Sequence, residues 1–176
     1  MIYDAIKMAL RAHEGQLRKV DGDLYVTHPL EVGMILSRAN QSDVVICAGI
    51  LHDTLEDTSL TFSEIVSVFG LEVANLVDSC SEIDKTRDWR SRKESYLLHL
   101  EHASPEVLMI VCADKISNLS SIARNLPQQG GGIWQKFNAP FESQSWYYGE
   151  VLKRLTPIKD QALYKQLKIL ILDIFH

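Results

Sequence analysis

The centre of this chain is the run VVICAGILHDTLEDT at residues 44–58. Its first eight residues are apolar on every side of a helix, which predicts a helix buried in the middle of the fold. Four groups that bind metals or protons follow within six positions: His52, Asp53, Glu56 and Asp57. If the helix continues, Glu56 lies over His52 and Asp53, because residues three and four apart share a helix face. Burying this polarity is costly unless a cation or a network of partner groups compensates it, so the run is a candidate functional site.

Length, composition and charge narrow the class of protein. The 176 residues are 46% hydrophobic, enough for a single domain over residues 1–176 with its own core. The net charge is −5, from 18 basic and 23 acidic residues, which disfavours nucleic-acid and membrane-surface partners. No apolar run approaches the ~18 residues of a membrane-spanning helix. Cys47, Cys80 and Cys112 are widely spaced and form no C-x-x-C motif, which predicts buried thiols in a reducing cytoplasm.

The remaining chain has helical spacing, so an all-α, single-domain fold is expected. Helices are predicted at residues 2–13, from His28, from Ser42 or Asp43, from Thr61 with Glu64 as its capping-box partner, from Val73, and at 105–122, 141–155 and 159–175. A charged stretch runs from Glu82 to Lys93. Pro127–Gly132 lacks the phosphate-loop pattern and is expected to be a plain connecting loop.

Three separated features suggest a single metal site. His28 stands at a helix start, and His52 and Asp53 follow the buried helix. Asp114 lies inside the core-like segment 109–116, where a buried aspartate needs a partner. Imidazole nitrogens and carboxylate oxygens together suit Mn²⁺, Fe²⁺ or Zn²⁺. We therefore expect these side chains to converge on one divalent cation.

The order of these residues, H…HD…D, resembles that of the HD-domain metal-dependent phosphohydrolases. Longer motifs narrow the resemblance to the hydrolase domain of the RelA/SpoT family. They are Gly15-Gln-Leu-Arg-Lys19, Tyr25-Val-Thr-His-Pro-Leu30, Leu51-His-Asp-Thr-Leu-Glu-Asp-Thr58 and Ala113-Asp-Lys-Ile-Ser-Asn-Leu119. The likeness covers most of the chain, and no synthetase or regulatory region is expected to follow. The sequence thus resembles a small, stand-alone alarmone hydrolase.

The resemblance implies an activity and a cofactor. Such enzymes bind Mn²⁺ and hydrolyse the 3′-pyrophosphate of guanosine tetra- or pentaphosphate, which yields pyrophosphate and GDP or GTP. The residues that match the family's metal ligands are His28, His52, Asp53 and Asp114.

The positions of two carboxylates suggest catalytic residues, and the resemblance implies substrate-binding ones. Glu56 and Asp57, one turn beyond the ligands, are placed to orient or deprotonate the attacking water. Arg18 and Lys19 match the pair that holds the nucleotide, with the arginine able to stack on a purine. Asn118 matches a residue that lies near the sugar or the base of the nucleotide.

Several positions differ from the family pattern and leave the identity of the substrate undecided. Val20 replaces a small hydroxyl residue of the family pattern and Ser120 replaces an arginine, both near the nucleotide. Hydrolysis of another phosphorylated nucleotide, such as NADPH, is the nearest alternative, and a binding protein without turnover is a more distant one. Lys115 is expected to project to another side of its helix than the metal ligand beside it.

Two further clusters have open roles. Arg90, Arg92 and Lys93 either reach the distal phosphates of a nucleotide or form a solvated helix face. The aromatic run Trp146–Tyr148 is interpreted as core packing rather than as a stacking platform. No segment of the sequence indicates an oligomeric state.

Overall fold

The structure, a computed structural model, describes residues 1–82 and 86–176. Within these ranges the chain forms ten α-helices, two 3₁₀ helices and no β-strand, apart from an isolated antiparallel bridge between Leu17 and Leu24. The all-α prediction is confirmed. The α-helices are α1 Ile2–Ala12, α2 Thr27–Arg38, α3 Asp43–Leu51, α4 Thr54–Asp57, α5 Phe62–Phe69, α6 Leu71–Cys80, α7 Trp89–Leu100, α8 Pro105–Gln129, α9 Phe141–Arg154 and α10 Ala162–Phe175. The 3₁₀ helices are Gly130–Lys136 and Thr156–Ile158. Of the predicted charged stretch, residues 83–85 lie outside the described residues.

The helix α3 lies at the centre of the fold, as its apolar sequence predicts. Its residues from Val45 to Leu51 are all buried, and it packs against α1, α2, α6 and α8. Ser42 caps its start, because the serine hydroxyl accepts a hydrogen bond from the Val45 amide. The predicted capping box of Thr61 and Glu64 is also present at the start of α5.

Glycines allow α2 and α3 to approach each other closely. A Cβ atom on Gly33 would lie 2.5 Å from Cγ1 of Ile50, and one on Gly49 would lie 2.3 Å from Cδ1 of Leu36. A larger residue at either position would push the helices apart or displace the opposing side chain. Because a candidate histidine lies at one end of each helix, this contact sets the distance between the two imidazoles.

The central helix ends before residues 56–57, so Glu56 and Asp57 lie on a separate helix from the buried apolar run. It ends at Leu51, and α4 follows after a two-residue interruption. The Thr54 hydroxyl donates a hydrogen bond to the Leu51 carbonyl at 2.6 Å, and Nδ1 of His52 donates to the Gly49 carbonyl at 2.8 Å. Because side chains use these carbonyls, the regular backbone pattern stops where the polar run begins.

The helix α8 is longer than predicted. It begins at the predicted proline but runs past Ile122 to Gln129. The expected loop at Pro127–Gly132 is wrong, since its proline lies inside α8 and a 3₁₀ helix follows directly. Packing of α8 against α10 and this 3₁₀ helix outweighs the hydrogen bond that a proline removes. The helix ends at Gly130, whose φ of 55° is left-handed.

The buried apolar side chains of the described residues form one hydrophobic core. Cys47, Cys80 and Cys112 are buried and free, as predicted. No helix in the described part of the chain combines the length and the apolar character needed to cross a membrane.

Candidate metal centre

The predicted metal ligands meet beside α8. Nε2 of His28 lies 3.3 Å from Oδ1 of Asp114 and 3.5 Å from Oδ2 of Asp53. Nε2 of His52 lies 3.2 Å from Oδ1 of Asp53 and 3.8 Å from Oδ1 of Asp114. Ligand atoms of His28, His52 and Asp114 lie within 4.8 Å of one another. These distances allow one cation to contact the group, and Asp53 lies beside both imidazoles.

Hydrogen bonds orient both imidazoles toward the carboxylates. The Gly49 carbonyl can only accept, so Nδ1 of His52 donates to it at 2.8 Å and Nε2 points away from this bond. This Nε2 is buried and makes no hydrogen bond to any described residue. Ser117 donates its hydroxyl proton to Glu31 at 2.7 Å, so it accepts from Nδ1 of His28 at 2.9 Å. Hydrogen bonds at both Nδ1 atoms thus leave the two Nε2 atoms facing the carboxylates, which is the direction that a divalent cation requires.

The electrostatics of the group favour a cation. Burial alone would lower the pKa of His28, but hydrogen bonds and charge from Asp114 and Asp53 outweigh it and raise that pKa to about 9. Burial raises the pKa of each carboxyl group, but His52 at Asp53 and Lys115 at Asp114 outweigh burial and hold both pKa values below the usual range. Ionised carboxylates therefore face the imidazoles, and a divalent ion compensates their charge as a proton on His28 would.

Glu56 and Asp57 lie at the opening of this group. Oε2 of Glu56 accepts a hydrogen bond from the Glu82 amide at 3.0 Å, and Glu56 lines an inner cavity of about 150 Å³ together with the predicted ligands. Burial raises the pKa of Glu56, and nearby carboxylates add to the increase. The Asp57 carbonyl accepts a hydrogen bond from Gln16 at 2.9 Å, which ties α4 to the loop after α1. Glu56 thus lies beside the predicted ligands, and Asp57 lines the cleft next to it, although the helix is interrupted.

An outer cleft of about 400 Å³ opens beyond the inner cavity. Arg18 and Lys19 line this cleft, and Asn118 lines both the cleft and the cavity. The residues common to both spaces are Glu56, Glu82, Lys93, Lys115 and Asn118. The structure thus brings the predicted ligands, the acidic pair and the predicted nucleotide-binding residues to one continuous space.

The loop that carries Arg18 and Lys19 is fastened to α8 and the following 3₁₀ helix. The Val20 carbonyl accepts hydrogen bonds from Lys136 at 2.6 Å and Gln129 at 3.1 Å. Val20 itself is buried and forms part of the cleft wall. The departure from the family pattern at this position thus places a branched apolar side chain where a small hydroxyl is common.

The site geometry agrees with the comparison to known families. Residues 5–140 match the family described as the HD domain. This chain belongs to the HD-domain family. The resemblance noted in the sequence is therefore confirmed.

A similar protein is guanosine-3′,5′-bis(diphosphate) 3′-pyrophosphohydrolase MESH1 of Danio rerio, 36% identical over 131 residues that cover 73% of this chain and 72% of the relative. The protein of the same name from Homo sapiens is 36% identical over 130 residues, 72% of each chain.

Solved HD-domain relatives share the arrangement of helices. The crystal structure of lmo0812 from Listeria monocytogenes EGD-e has a TM-score of 0.77 and 34% identity, and covers 84% of this chain and 98% of that chain. A metazoan ortholog of SpoT, described as hydrolysing ppGpp, has a TM-score of 0.83 and 25% identity, and covers 98% of this chain and 94% of that chain.

The sequence interpretation of this HD domain missed residues that hold its carboxylates. The prediction that Lys115 projects elsewhere is wrong, because its ammonium lies 2.6 Å from Oδ2 of Asp114. Asn118 donates to Oδ1 of the same aspartate at 2.6 Å, so both oxygens of Asp114 are held. The hydroxyl of Tyr25 donates to Oδ2 of Asp53. A charged lysine within a core-like segment was the available signal for Lys115, since burial of a charge requires a partner.

The two open clusters have distinct positions in the HD domain. Arg92 and Lys93 line the cleft, where both pair with the Glu82 carboxylate. The guanidinium of Arg90 lies 3.2 Å from the centre of the Trp146 ring, outside the residues that line the cleft in the described chain. The two tyrosines that follow Trp146 are buried, as predicted, and they also form part of the cleft wall.

Proposed function

We propose that this protein hydrolyses the 3′-pyrophosphate of guanosine tetra- or pentaphosphate and releases pyrophosphate with GDP or GTP. The observation that carries the proposal is the convergence of oriented imidazoles and ionised carboxylates at the inner end of a cleft lined by basic side chains. The names of the similar proteins, which are guanosine-3′,5′-bis(diphosphate) 3′-pyrophosphohydrolases, support the choice of substrate. We also propose that residues 1–176 act as one hydrolase domain, located in the cytoplasm.

The proposed cofactor is Mn²⁺, held by His28, His52, Asp53 and Asp114. A buried group with histidine nitrogens and carboxylate oxygens suits a divalent metal, and Mn²⁺ accepts this mixed set. When bound, such an ion supplies Lewis-acid chemistry, since it draws charge from phosphoryl oxygens and lowers the pKa of water. Tyr25 supports the site by holding one oxygen of Asp53 in place.

The proposed catalytic residues are Glu56 and Asp57. Water attacks the phosphorus bonded to the 3′ oxygen, the bond from phosphorus to that oxygen breaks, and the leaving oxygen takes a proton. Glu56 is suited to accept the proton of the attacking water, because its raised pKa brings the carboxylate closer to the operating pH. The Glu82 amide holds Glu56 through one oxygen at 3.0 Å, which keeps the base beside the cavity. Asp57 orients the water from the same turn.

The proposed substrate residues are Arg18, Lys19 and Asn118. Arg18 and Lys19 lie on the anchored loop at the outer cleft, where the guanidinium can stack on a purine and the lysine can face phosphate. Asn118 stands between the outer cleft and the inner cavity, which places its amide near the sugar. Positioning and charge neutralisation of this kind supply most of the catalysis in phosphoryl transfer.

The direct test is incubation of the purified protein with Mn²⁺ and guanosine tetraphosphate. GDP and pyrophosphate should appear together in equal amounts. Absence of turnover by a folded protein that binds Mn²⁺ would refute the alarmone assignment. A parallel incubation with NADPH and other phosphorylated nucleotides distinguishes a different substrate from a protein without turnover.

A further inference from the structure

A half-buried lysine and a buried lysine, from different helices, each place an ammonium group near the same aromatic ring. Lys93 comes from α7 and Lys115 from α8, while Tyr147 lies on α9. Nζ of Lys93 is 4.9 Å from the centre of the Tyr147 ring, and Nζ of Lys115 is 5.5 Å from it. The negative face of an aromatic ring attracts ammonium groups, so the Tyr147 ring helps to hold both lysines in this region. We call Lys93 and Lys115 the lysine pair.

The lysine pair lies where the inner cavity joins the outer cleft. The side chains of Lys93 and Lys115 are 17% and 11% exposed, and both line the cavity as well as the cleft. Each ammonium has a carboxylate partner, Glu82 for Lys93 and Asp114 for Lys115. An ammonium carries three N–H donors. A hydrogen bond to one carboxylate oxygen uses one of them, so the others can bind a ligand in the cavity. The pair is therefore placed to contact a group next to the metal ligands.

The charge of the cavity explains why lysines are needed there. Among the described residues, its lining carries the carboxyl groups of Asp53, Glu56, Glu82 and Asp114. With all four ionised, a divalent ion offsets half of their charge and the lysine pair offsets the other half. Without the pair, the cavity would keep a net negative charge and repel a phosphate. Arg92 also lies 3.3 Å from Glu82, so two cations face this one carboxylate and leave positive charge at the junction.

We propose that the lysine pair binds the second phosphate of the 3′-diphosphate, the one farther from the nucleoside. This inference rests on the proposed function, because it takes the reacting phosphorus to lie at the metal ligands. The next phosphate must then lie within the cavity or at its junction with the cleft, where Lys93 and Lys115 are. Arg18 and Lys19 line the outer cleft and are left for the nucleoside and its 5′ end. The pair therefore selects 3′-diphosphates over 3′-monophosphates.

The first experiment compares two substrates that share a nucleoside. The substrates are guanosine tetraphosphate and guanosine 5′-diphosphate 3′-monophosphate, each with Mn²⁺. Lys93→Gln should lower kcat/KM for the 3′-diphosphate by about 10- to 100-fold, the value of one hydrogen bond to a charged group, and should change the 3′-monophosphate far less. Lys93→Arg keeps the charge and should restore most of the loss. Lys153→Gln is the matched control, because Lys153 also pairs with a glutamate, Glu150, but lies on the surface. An equal loss for both substrates in Lys93→Gln would overturn the proposal.

The second experiment measures binding without turnover. Calorimetric titration of the Mn²⁺-loaded protein with inorganic pyrophosphate and with orthophosphate should show tighter binding of pyrophosphate. Lys93→Gln should remove most of this preference, and Lys153→Gln should retain it. If the parent protein prefers neither anion, or if Lys93→Gln keeps the full preference, the inference is refuted. If the parent cleaves neither guanosine nucleotide but binds pyrophosphate with this dependence on Lys93, the proposed function fails, while the role of the lysine pair in binding a diphosphate group stands.

Discussion

Removal of the Ser117 hydroxyl should weaken metal binding, because this hydroxyl accepts the hydrogen bond that orients the His28 imidazole. In Ser117→Ala, the buried Nδ1–H of His28 loses its acceptor at 2.9 Å, and Glu31 loses a donor at 2.7 Å. Glu31 keeps its ion pair with Arg124 at 3.0 Å, so the unsatisfied group is the imidazole. An unsatisfied buried donor costs about 1–3 kcal/mol. Loss of a partner that orients a metal-binding histidine raises the dissociation constant by about 10- to 100-fold, so we expect an effect of this size for Mn²⁺.

The measurement is calorimetric titration of Mn²⁺ into the metal-free protein, with thermal unfolding as a check that the variant is folded. Ser121→Ala is the matched control, because Ser121 is equally buried, lies one turn further along α8 and donates to Asp21 instead of a ligand. It should bind Mn²⁺ like the parent protein. If Ser117→Ala binds Mn²⁺ as tightly as the parent, or if Ser121→Ala loses the same affinity, the role of Ser117 in orienting His28 is refuted.

Three further predictions concern the base, its pH dependence and the helix contact beneath the site. Glu56→Gln should keep Mn²⁺ affinity and lower kcat by about 10²- to 10⁴-fold, since it removes the general base; activity equal to the parent's would exclude Glu56 from the mechanism. Burial raises the pKa of Glu56 and a base must be deprotonated, so kcat should fall with decreasing pH through a value above the usual glutamate pKa of about 4.3. A profile of log kcat against pH at saturating Mn²⁺ checks this, and an acidic limb at the usual value would contradict it. Gly49→Ala should lower the free energy of unfolding by about 1–3 kcal/mol, because its Cβ would lie 2.3 Å from Cδ1 of Leu36. Urea unfolding measures this, with Gly149→Ala as the control, since a Cβ there meets nothing within 4 Å; equal effects of both changes would refute the packing argument.

Local signals predicted the starts of helices well. The hydroxyl of Ser42 caps α3, and the pair Thr61 and Glu64 forms the capping box of α5. Each depends on atoms within one helical turn, so a short sequence pattern contains the information. The end of α8 was not predictable in this way. Pro127 is unfavourable within a helix, and the helix passes through it where α8 packs against α10 and the following 3₁₀ helix.

The metal ligands were predicted from the order of residues along the whole chain and not from a pattern within one helical turn. The order of His28, His52, Asp53 and Asp114 indicated a metal site, and the structure brings all four side chains together. Their roles as ligands stay a prediction until a metal titration tests them. Helix periodicity gave a wrong direction for the Lys115 side chain, because this long, flexible side chain bends back to the neighbouring Asp114.

From its sequence alone, this chain is an all-α protein with a central apolar helix and a set of polar residues suited to a divalent metal. Hydrophobic periodicity and short motifs carry that information because they act within a few residues of the chain. The tertiary structure decides which partners hold the carboxylates and imidazoles: Tyr25 on Asp53, Ser117 on His28, and Lys115 on Asp114. It also decides that Lys93 and Lys115 share one ring at the junction of cavity and cleft. These contacts mostly join helices far apart in sequence, so they depend on how α2, α3, α7, α8 and α9 pack around one core.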